Sequence, residues 1–544
     1  MLEAIVDCEV SRSVMSDSIP ELAGNTAPHA SPKAVPASVL HGVSTAPLTP
    51  GRAVILLRAH PEVIVACVLF IVLVATSSQY GWHRDELYFV VAGEHPAWGY
   101  PDQPLLTPLP SAALNSLGHG SLVVVRIASA AASAATALLT GIVAGQLGAT
   151  PRARAIAATA WAVGAISLVT GHFVDTTTFD ILATVAVCSC LLQAITANSG
   201  RWMIAAGAVL GFGLLNKLTV GFVIAVVCAS LLAVGPRRML LSRSALIGAA
   251  LALLGAAPYL IWQSMNGWPQ FALAQSIAGS GAEGGRTGVI PFQLLLISPL
   301  LAPVWIAGMV RLFRNPQARI ARAFAVAYLV VLVVIIVTSG KAYYAGGLLP
   351  VLVASGAIAT DEWVRRRRSG WRLGLVVAAL GLAFVTNAAI GLALLPVRLL
   401  TPTGIERINP DAGEQVGWPQ FTASVATAFN AIPQGQRSTA VIFTGNYGEA
   451  GAIDTYGGPL GLPEAFSGHN GFALWGPPTT RGPVVVVGLP GGPALARYFS
   501  GCHVVTYVDN GSHLNNDEQG DAVQLCSGPV KAWATLWPEL VHYD

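Results

Sequence analysis

The sequence predicts a polytopic α-helical membrane protein with a small α/β domain at its C-terminal end. Of its 544 residues, 53% are hydrophobic and only 10% are charged, with a mean hydropathy of +0.61, whereas soluble domains carry about 25% charged residues. Apolar runs recur from Leu56 to about residue 395. After residue 396 the composition changes to Gly/Pro-rich loops and short β-branched runs. These three observations place residues 55–396 in the membrane and residues 397–544 outside it.

Residues 1–54 are rich in Pro, Ser, Ala and Thr, and they lack the charged segment and apolar core of a signal peptide. Such a composition cannot bury enough apolar surface to fold. We therefore expect a disordered cytoplasmic tail.

A membrane-spanning helix needs about 17 to 25 apolar residues, and on this basis the sequence predicts about eleven spans. They cover residues 58–77, 121–148, 155–172, 179–198, 202–216, 218–235, 244–264, 291–312, 323–339, 345–361 and 372–395. The fifth and sixth are short, so they can also be read as one hairpin of half-length helices.

Basic residues predict the orientation of these spans, because cytoplasmic loops are enriched in Lys and Arg. One side of the predicted membrane region collects Arg52, Arg58, Arg152, Arg154, Arg201, Arg237, Arg238, Arg243, Arg311, Arg314, Arg319, Arg322, Arg365, Arg366, Arg367, Arg368 and Arg372. The other side holds only Arg84, Arg126, Lys217, Arg286 and Lys341. We expect a cytoplasmic N-terminus and a first outer loop at residues 78–120. Residues 397–544 are then extracytoplasmic.

The C-terminal segment predicts short strands at 439–443, 484–487 and 503–508, with a helix at 421–431. Alternating strands and helices of this length favour a small α/β domain. Cys502 and Cys526 share this segment, and an exported segment allows them to form a disulfide.

The first outer loop carries the densest group of polar residues. Asp85 and Glu86 follow directly on the first span, and Asp102 and Gln103 follow within a proline-rich stretch. Adjacent acids at this position can simply complement a helix dipole. A loop stiffened by prolines and anchored by aromatic residues can also hold two carboxylates against one substrate, and we favour this interpretation.

A second group of polar residues stands at the outer ends of the third and fourth spans. Asp175 and Asp180 lie at the membrane boundary there, and an ionisable residue within a span is a functional candidate. Asp175 can instead cap the following helix. We favour Asp180 because apolar neighbours bury it more deeply.

Two lysines within the membrane region, Lys217 and Lys341, both fall on the predicted outer side, the second beside Tyr343 and Tyr344. Such side chains often extend to the interface. They can also bind a phosphate as point charges, and Arg126 could contribute. Nucleotide-binding, hydrolase and zinc-protease motifs are absent from the sequence,, and we expect no nucleic-acid partner.

Several stretches resemble, in order, the GT-C membrane glycosyltransferases, and in particular the bacterial protein O-mannosyltransferase and aminoarabinose-transferase-like enzymes. They are HRDELYF (83–89), GYPDQPLLTPL (99–109), FVDTTTFDIL (173–182), GAVLGFGLLNKLTV (207–220) and GKAYYAGGLLPVLVASGA (340–357). NYGEAGAIDTYG (446–457) and SGHNGFALWGPP (467–478) resemble the exported domain of one bacterial subgroup.

The resemblance implies transfer of a hexose or pentose from a polyprenyl-phosphate donor to a hydroxyl of a cell-envelope glycan, lipid or protein. The transfer would occur at the outer face of the cytoplasmic membrane, by an enzyme embedded in the lipid bilayer. It implies that Asp85 is the general base or orients the acceptor, with Glu86 in support. Asp102, Gln103 and Asp180 would complete the acidic substrate site, and Asp85 with Asp180 could share a divalent metal, Mg²⁺ or Mn²⁺.

The resemblance also implies that Lys217 and Lys341 hold the donor phosphate, with Tyr343, Tyr344 and Arg126 beside them. One departure is that Gln103-Pro104-Leu105 stands where the aminoarabinose branch has a lysine and two prolines, which shifts the phosphate-binding role toward the two lysines.

Two open questions accompany this reading. His469 and Asn470 could bind the acceptor, but glycines around them can equally mark a simple turn.

The alternative function is a transporter or flippase of lipid-linked sugars. A transporter predicts repeats with broken helices at matching positions, and the sequence shows neither. An inactive structural protein is the third possibility, and the intact acidic residues argue against it.

Overall fold

The computed structural model describes residues 58–280, 285–366 and 370–543. The predicted tail, residues 1–54, lies outside these ranges, as do Arg367 and Arg368 of the orientation argument. The predictions that concern them stay predictions.

Sixteen helices of eight or more residues run through the first part of the described chain. They are α1 Pro61–Thr76, α2 Arg84–Glu94, α3 Pro108–Leu117, α4 Leu122–Gln146, α5 Pro151–Ala162, α6 Ala165–His172, α7 Thr176–Ala197, α8 Gly200–Leu214, α9 Thr219–Val234, α10 Arg243–Met265, α11 Pro269–Ser280, α12 Gly285–Ile297, α13 Ala302–Arg314, α14 Arg322–Thr338, α15 Leu349–Arg365 and α16 Trp371–Gly391. Shorter helical turns cover Arg237–Leu240, Pro316–Ala321, Ala342–Leu348, Val397–Leu399, Leu400–Thr403, Ile405–Ile408, Pro410–Gln415, Gln434–Thr439, Gly458–Leu460, Asn470–Leu474 and Leu495–Arg497.

The length of these helices confirms several spans but does not confirm the count of about eleven. Among the described residues, six helical segments are long and apolar enough to cross a membrane, or up to eight if each of two bent pairs is one span. The helices α1, α8 and α9 are apolar but have only 15 or 16 residues, about 24 Å at 1.5 Å per residue, against a hydrocarbon core of about 30 Å.

Two predicted spans, 155–172 and 291–312, are broken helices. The pair α5 and α6 bends by 56°, and the pair α12 and α13 bends by 106°. Pro299 and Pro303 explain the second break, because proline lacks the N–H that continues a helix and restricts the residue before it. The structure thus divides each of these predicted spans into two helices.

One side chain satisfies the backbone at both breaks. The Asn387 amide on α16 donates to the carbonyl of Val163 and to the carbonyl of Ile297, each at 2.8 Å. Irregular backbone at membrane depth is tolerated only where it is buried in protein or lines a cavity. Asn387 thus holds the two bends together beside a cavity described below.

Residues 397–543 contain a five-stranded sheet flanked by helices. The strands of this region are β1 Val441–Thr444, β2 Ala465–Ser467, β3 Val484–Val487, β4 Phe499–Ser500, β5 His503–Tyr507, β6 Ala522–Cys526 and β7 Gly528–Pro529. Its longer helices are α17 Trp418–Asn430, α18 Tyr447–Tyr456 and α19 Trp533–Leu540. The strand order is β2-β1-β3-β6-β5, and β4 and β7 form a separate pair. A disulfide joins Cys502 and Cys526.

Both faces of the sheet are covered, as expected for strands read as continuous apolar runs. β1 pairs in parallel with β2 and β3, whereas β6 pairs antiparallel with β3 and β5. Alternate residues of β3 then point to opposite cores: Val485 and Val487 to one, Val484 and Val486 to the other. The predicted strands and helix of this region are confirmed to within a few residues.

The helix α2 belongs to the same hydrophobic core as the sheet. Leu87 and Tyr88 of α2 are buried in one cluster with Phe421 of α17, Ile453 of α18 and Val485 of β3. The first loop and the C-terminal sheet region therefore pack as one body. Whether residues 397–544 form an independent domain stays a prediction.

Candidate functional site

The start of α2 fixes the direction of the acidic pair. His83 caps the helix. The Nδ1 atom of its ring accepts a hydrogen bond from the backbone N–H of Asp85 at 3.2 Å, and the backbone N–H of His83 donates to Oε2 of Glu86 at 2.8 Å. Oε1 of Glu86 accepts from the N–H of Val174 at 2.8 Å. This reciprocal arrangement satisfies two backbone donors at the helix start and turns Glu86 into the protein interior.

Glu86 forms a fully buried ion pair with Arg126 of α4, at 2.9 Å from Nε and 2.7 Å from Nη2. The other guanidinium hydrogen bonds go to the carbonyls of Ser77 and Gly81 and to the Gln415 side chain. Both charged groups are 0% exposed. Arg126, expected beside the phosphate, thus already donates through all three guanidinium nitrogens to the base of the first loop, and Glu86 is occupied by the same contacts.

A cavity of about 600 Å³ opens beside Asp85, within the range of about 300 to 1,000 Å³ typical of ligand sites. Its wall is largely apolar, with contributions from α6, α12 and α16. Its polar lining residues are His83, Asp85, Thr170, Asp175, Thr177, Ser298, Lys341, Tyr343, Thr386, Asn387, Asn409 and Asp411. The cavity therefore combines a long apolar surface with a charged end.

Asp85 is held ionised at this charged end. Its Oδ1 accepts a hydrogen bond from the Tyr447 hydroxyl at 2.8 Å. Burial by itself would raise the pKa of Asp85, but the charges of His83 and Arg84, the Tyr447 hydrogen bond and the charge of Lys341 together hold that pKa below its usual value,. A carboxylate is thus present at neutral pH.

Asp102 has a different environment from Asp85. Its Oδ1 accepts from the Tyr88 hydroxyl at 2.9 Å, and Tyr88 in turn accepts from the N–H of Gly471 at 3.1 Å. Burial, with a smaller contribution from the charge of Asp85, raises the pKa of Asp102 to about 7. Gln103 is buried and does not line the cavity, so its predicted contact with substrate has no support in this geometry.

The second acidic group is divided between two surroundings. Asp175 caps α7 by accepting from the N–H of Thr177 at 3.1 Å, and it lines the cavity. Asp180 is buried one turn further along α7 and is not among the lining residues. Lys217 donates to the hydroxyls of Thr176 at 3.1 Å and Thr177 at 3.4 Å. The sequence favoured Asp180, but Asp175 is the acid that reaches the cavity.

The two lysines flank one aromatic ring. The Nζ of Lys217 lies 5.5 Å from the ring centroid of Tyr343 and 5.6 Å from that of Tyr344, and the Nζ of Lys341 lies 5.9 Å from the Tyr343 centroid. Cations at these distances are attracted by the ring faces. Of the two lysines, only Lys341 lines the cavity. Lys217 stands behind the wall formed by Thr177 and Tyr343.

Sequence reasoning did not select three residues near Asp85. His83 and Asp411 line the cavity, and Tyr447 donates its hydroxyl to Asp85. The Nε2 of His83 lies 3.8 Å from Oδ1 of Asp411, and its ring stacks on Phe173 at a centroid distance of 4.2 Å. His83 could have been found from its place beside Asp85. The other two lie more than 320 positions away in the chain, and only the motif around Tyr447 marked it.

His469 and Asn470 lie behind Tyr447 rather than in the cavity. Both are buried, at 2% and 1% exposure, and Nδ1 of His469 accepts from the Tyr447 N–H at 3.3 Å. Asn470 has φ of +46°, as in a tight turn,. The turn interpretation fits this geometry, and the acceptor-binding interpretation has no support from it.

The side chains near Asp85 do not fit a divalent metal ion. Within residues 58–280, 285–366 and 370–543, no group of three or more His, Cys, Asp or Glu side chains is placed to hold one. Asp180 does not face the cavity that Asp85 lines, so the two proposed metal ligands do not converge.

Comparisons with known proteins agree with the fold. Residues 102–262 match the sequence model of a family described as dolichyl-phosphate-mannose-protein mannosyltransferase. The crystal structure of ArnT from Cupriavidus metallidurans bound to undecaprenyl phosphate is similar with a TM-score of 0.57 and 16% identity, covering 88% of this chain and 98% of that one. The apo structure of the same protein gives 0.57 and 16%, covering 85% and 97%.

An oligosaccharyltransferase from Archaeoglobus fulgidus, crystallised as a complex with Zn and sulfate, has a TM-score of 0.45 and 14% identity over 80% of this chain and 71% of that one. Among curated protein sequences, none matches the chain. The long apolar helices, the family match and the ArnT similarity together identify the chain as a multi-pass membrane protein with the GT-C glycosyltransferase fold.

Proposed function

We propose that this protein transfers a sugar from a polyprenyl-phosphate donor to an acceptor hydroxyl at the cavity lined by Asp85 and Lys341. The observation that carries the proposal is the cavity itself, in which an apolar wall leads to a charged end. A polyprenyl-linked sugar likewise combines a long apolar chain with a charged phosphate. That the similar ArnT was crystallised with undecaprenyl phosphate supports this choice of ligand.

The apolar wall suits the first isoprene units of the donor. Ile166 and Val169 of α6, Leu295 and Leu296 of α12 and Ile390 of α16 all line the cavity. Burying apolar surface contributes about 25 cal/mol per Å². The remainder of a long polyprenyl chain would extend into the bilayer.

At the charged end, we assign the donor phosphate to Lys341, because this lysine lines the cavity. In the reaction, the acceptor oxygen attacks the anomeric carbon, the bond from that carbon to the phosphate oxygen breaks, and the electron pair leaves with the polyprenyl phosphate. Negative charge therefore grows on the phosphate, and a nearby ammonium stabilises it more as the bond breaks. Lys217 supports Tyr343 and Thr177 from behind the wall.

Asp85 accepts the proton of the acceptor hydroxyl. Because its pKa is low, Asp85 is a weak base before the bond to the phosphate breaks. It therefore orients the hydroxyl by a hydrogen bond and takes the proton late, when the acceptor oxygen has become acidic. Glu86 and Arg126 hold the loop that carries Asp85, so we assign them positioning roles.

A transporter of lipid-linked sugars is the second candidate. The observation that favours it is the pair of broken helices beside the cavity, since transporters place discontinuous helices around a central binding site. The two functions differ in outcome: a transporter moves the lipid-linked sugar unchanged, whereas a transferase consumes it.

The test compares Asp85→Asn and Lys341→Ala with Asp509→Asn and Lys531→Ala, which change exposed residues of the same types. In cells that make each variant, mass spectrometry of extracted lipids should show a polyprenyl-phosphate sugar accumulating with Asp85→Asn but not with Asp509→Asn. With purified protein in mild detergent, Lys341→Ala should bind added undecaprenyl phosphate about 10- to 100-fold more weakly, because it removes a charge-assisted contact of about 1.5 to 3 kcal/mol.

Unchanged lipid-linked sugars with Asp85→Asn would contradict the transferase. Movement of an intact lipid-linked sugar across proteoliposomes, with no consumption when acceptor lipids are present, would establish the transporter in its place. Equal loss of undecaprenyl phosphate binding with Lys341→Ala and Lys531→Ala would remove Lys341 from the donor site.

A further inference from the structure

We propose that Tyr447, from the C-terminal sheet region, is the positioning residue that sets the orientation of the Asp85 carboxylate. The inference rests on the proposed function, because it deepens the role of Asp85 in transfer. It means that the first loop does not carry a complete site. The residues after 396 supply the hydrogen bond that completes it.

The contact is direct and its donor is held from several sides. The Tyr447 hydroxyl donates to Oδ1 of Asp85 at 2.8 Å. The ring lies 4.7 Å from the Tyr88 ring, and the Arg84 guanidinium stands 5.2 Å from its centroid. The backbone N–H of Tyr447 donates to His469 at 3.3 Å. These contacts hold the ring and the backbone, and so keep the Tyr447 hydroxyl beside Oδ1 of Asp85.

Glycines allow α18 and the turn after β2 to approach α2 this closely. A Cβ on Gly448 would lie 2.8 Å from the Cβ of Arg84, and one on Gly451 would lie 3.0 Å from the Cβ of Leu87. A Cβ on Gly471 would lie 2.7 Å from the Tyr88 hydroxyl. Any larger side chain would push the two elements apart. The close approach is what brings the Tyr447 hydroxyl within hydrogen-bond distance of Asp85.

A second tyrosine at the same interface holds the second loop carboxylate. Tyr88 donates to Asp102 at 2.9 Å while its oxygen accepts from the N–H of Gly471 at 3.1 Å. Each of the two loop acids thus receives one tyrosine hydroxyl, and both tyrosines depend on residues of the sheet region. Two such bonds from one packed interface fix the relative positions of the two carboxylates better than either bond by itself.

The two carboxylate oxygens of Asp85 have different surroundings, and this difference matters for transfer. Tyr447 occupies Oδ1 of Asp85, whereas Oδ2 makes no hydrogen bond to the described part of the chain. The acceptor hydroxyl then meets a carboxylate whose rotation is already restricted. Orientation of this kind is lost when a reacting group shifts by about 1 Å, which can reduce the rate about 100-fold.

The variant Tyr447→Phe removes the hydroxyl and keeps the ring, and Tyr507→Phe, at an exposed tyrosine of β5, is the matched control. Turnover is measured with the lipid-linked sugar that accumulates with Asp85→Asn, and binding is measured with undecaprenyl phosphate. With Tyr447→Phe we expect kcat to fall about 10- to 100-fold. The affinity for undecaprenyl phosphate should stay within about twofold of the wild type, and Tm should stay within about 2 °C, on the order of assay error.

The pH profile distinguishes orientation from mere packing. A hydrogen bond to the ionised form lowers a carboxyl pKa, so its loss should move the ascending limb of kcat to higher pH with Tyr447→Phe and leave it in place with Tyr507→Phe. A variant Gly448→Val, which separates α18 from α2, should reproduce both effects.

Two results would overturn the proposal. If Asp85→Asn stops transfer but Tyr447→Phe keeps kcat within about twofold and the same pH profile, Tyr447 does not position Asp85. If Tyr447→Phe loses kcat, binding and thermal stability together, its role is structural. A fully active Asp85→Asn would instead refute the proposed function, and the role of Tyr447 with it.

Discussion

Replacing Arg126 with methionine should unfold the protein more easily rather than weaken its hold on a phosphate. Arg126 makes five hydrogen bonds in a setting that excludes water, two of them to the carboxylate of Glu86. Methionine fills similar volume but leaves that buried carboxylate without its counter-ion. Breaking a buried ion pair by removing one partner costs about 3 to 5 kcal/mol.

For a chain of this size, each kcal/mol corresponds to about 2 °C in Tm, so Arg126→Met should lower Tm by roughly 6 to 10 °C. The measurement is the heat-dependent loss of the monodisperse peak in detergent, with Arg286→Met, at an exposed arginine, as control. The double variant Glu86→Gln with Arg126→Met should cost less than the sum of the two single variants, because neither then leaves an unpaired charge.

The opposite pattern would refute this reasoning. If Arg126→Met keeps the wild-type Tm within about 2 °C but binds undecaprenyl phosphate tenfold more weakly, Arg126 is a phosphate ligand after all. The buried geometry of the ion pair would then not describe the working state of the site.

Two further predictions concern the neighbours of this ion pair. Burial raises the pKa of Asp102 to about 7, so Asp102 gains its charge as pH rises through 7, and this charge makes Asp85 more basic. Transfer is measured from about pH 5.5 to 8.5, on the order of one and a half units on each side. The rate should rise through that range in the wild type but not in Asp102→Asn. An identical profile in both would exclude the coupling. Asn387→Ala should lower the free energy of unfolding by about 2 to 6 kcal/mol, because it leaves the carbonyls of Val163 and Ile297 unpaired at about 1 to 3 kcal/mol each,. Thr338→Ala, at an exposed helix position, is its control, and equal melting of the two variants would argue against the role of Asn387 at the helix breaks.

Sequence patterns located the acidic loop because so few charges occur elsewhere in the membrane region. Asp85 stood out for this reason, and the structure places it at the charged end of the cavity. The same patterns could not divide work between Asp85 and Glu86. They are adjacent in the chain, but one faces the cavity and the other enters a buried ion pair, a difference set by which partners each meets from distant helices.

The surroundings of Asp175 and Asp180 differ for a related reason. Apolar neighbours in the sequence correctly indicated that Asp180 is buried. Asp180 is nevertheless not among the residues that line the cavity, whereas Asp175, which caps the start of α7, lines it. Sequence depth within a span does not tell which side of a helix faces a ligand site.

The sequence by itself determined the membrane character of the chain, the class of its C-terminal sheet region, and the resemblance to GT-C glycosyltransferases, since these follow from local composition, periodicity and motif order. Tertiary structure decided how the loop and the sheet region share a site. Tyr447 and Asp85 are separated by 362 positions, and only the close packing of α18 on α2 brings the hydroxyl of one to the carboxylate of the other. The breaks in two predicted spans also depend on tertiary contacts, because Asn387 on a third helix donates hydrogen bonds to the carbonyls at both bends.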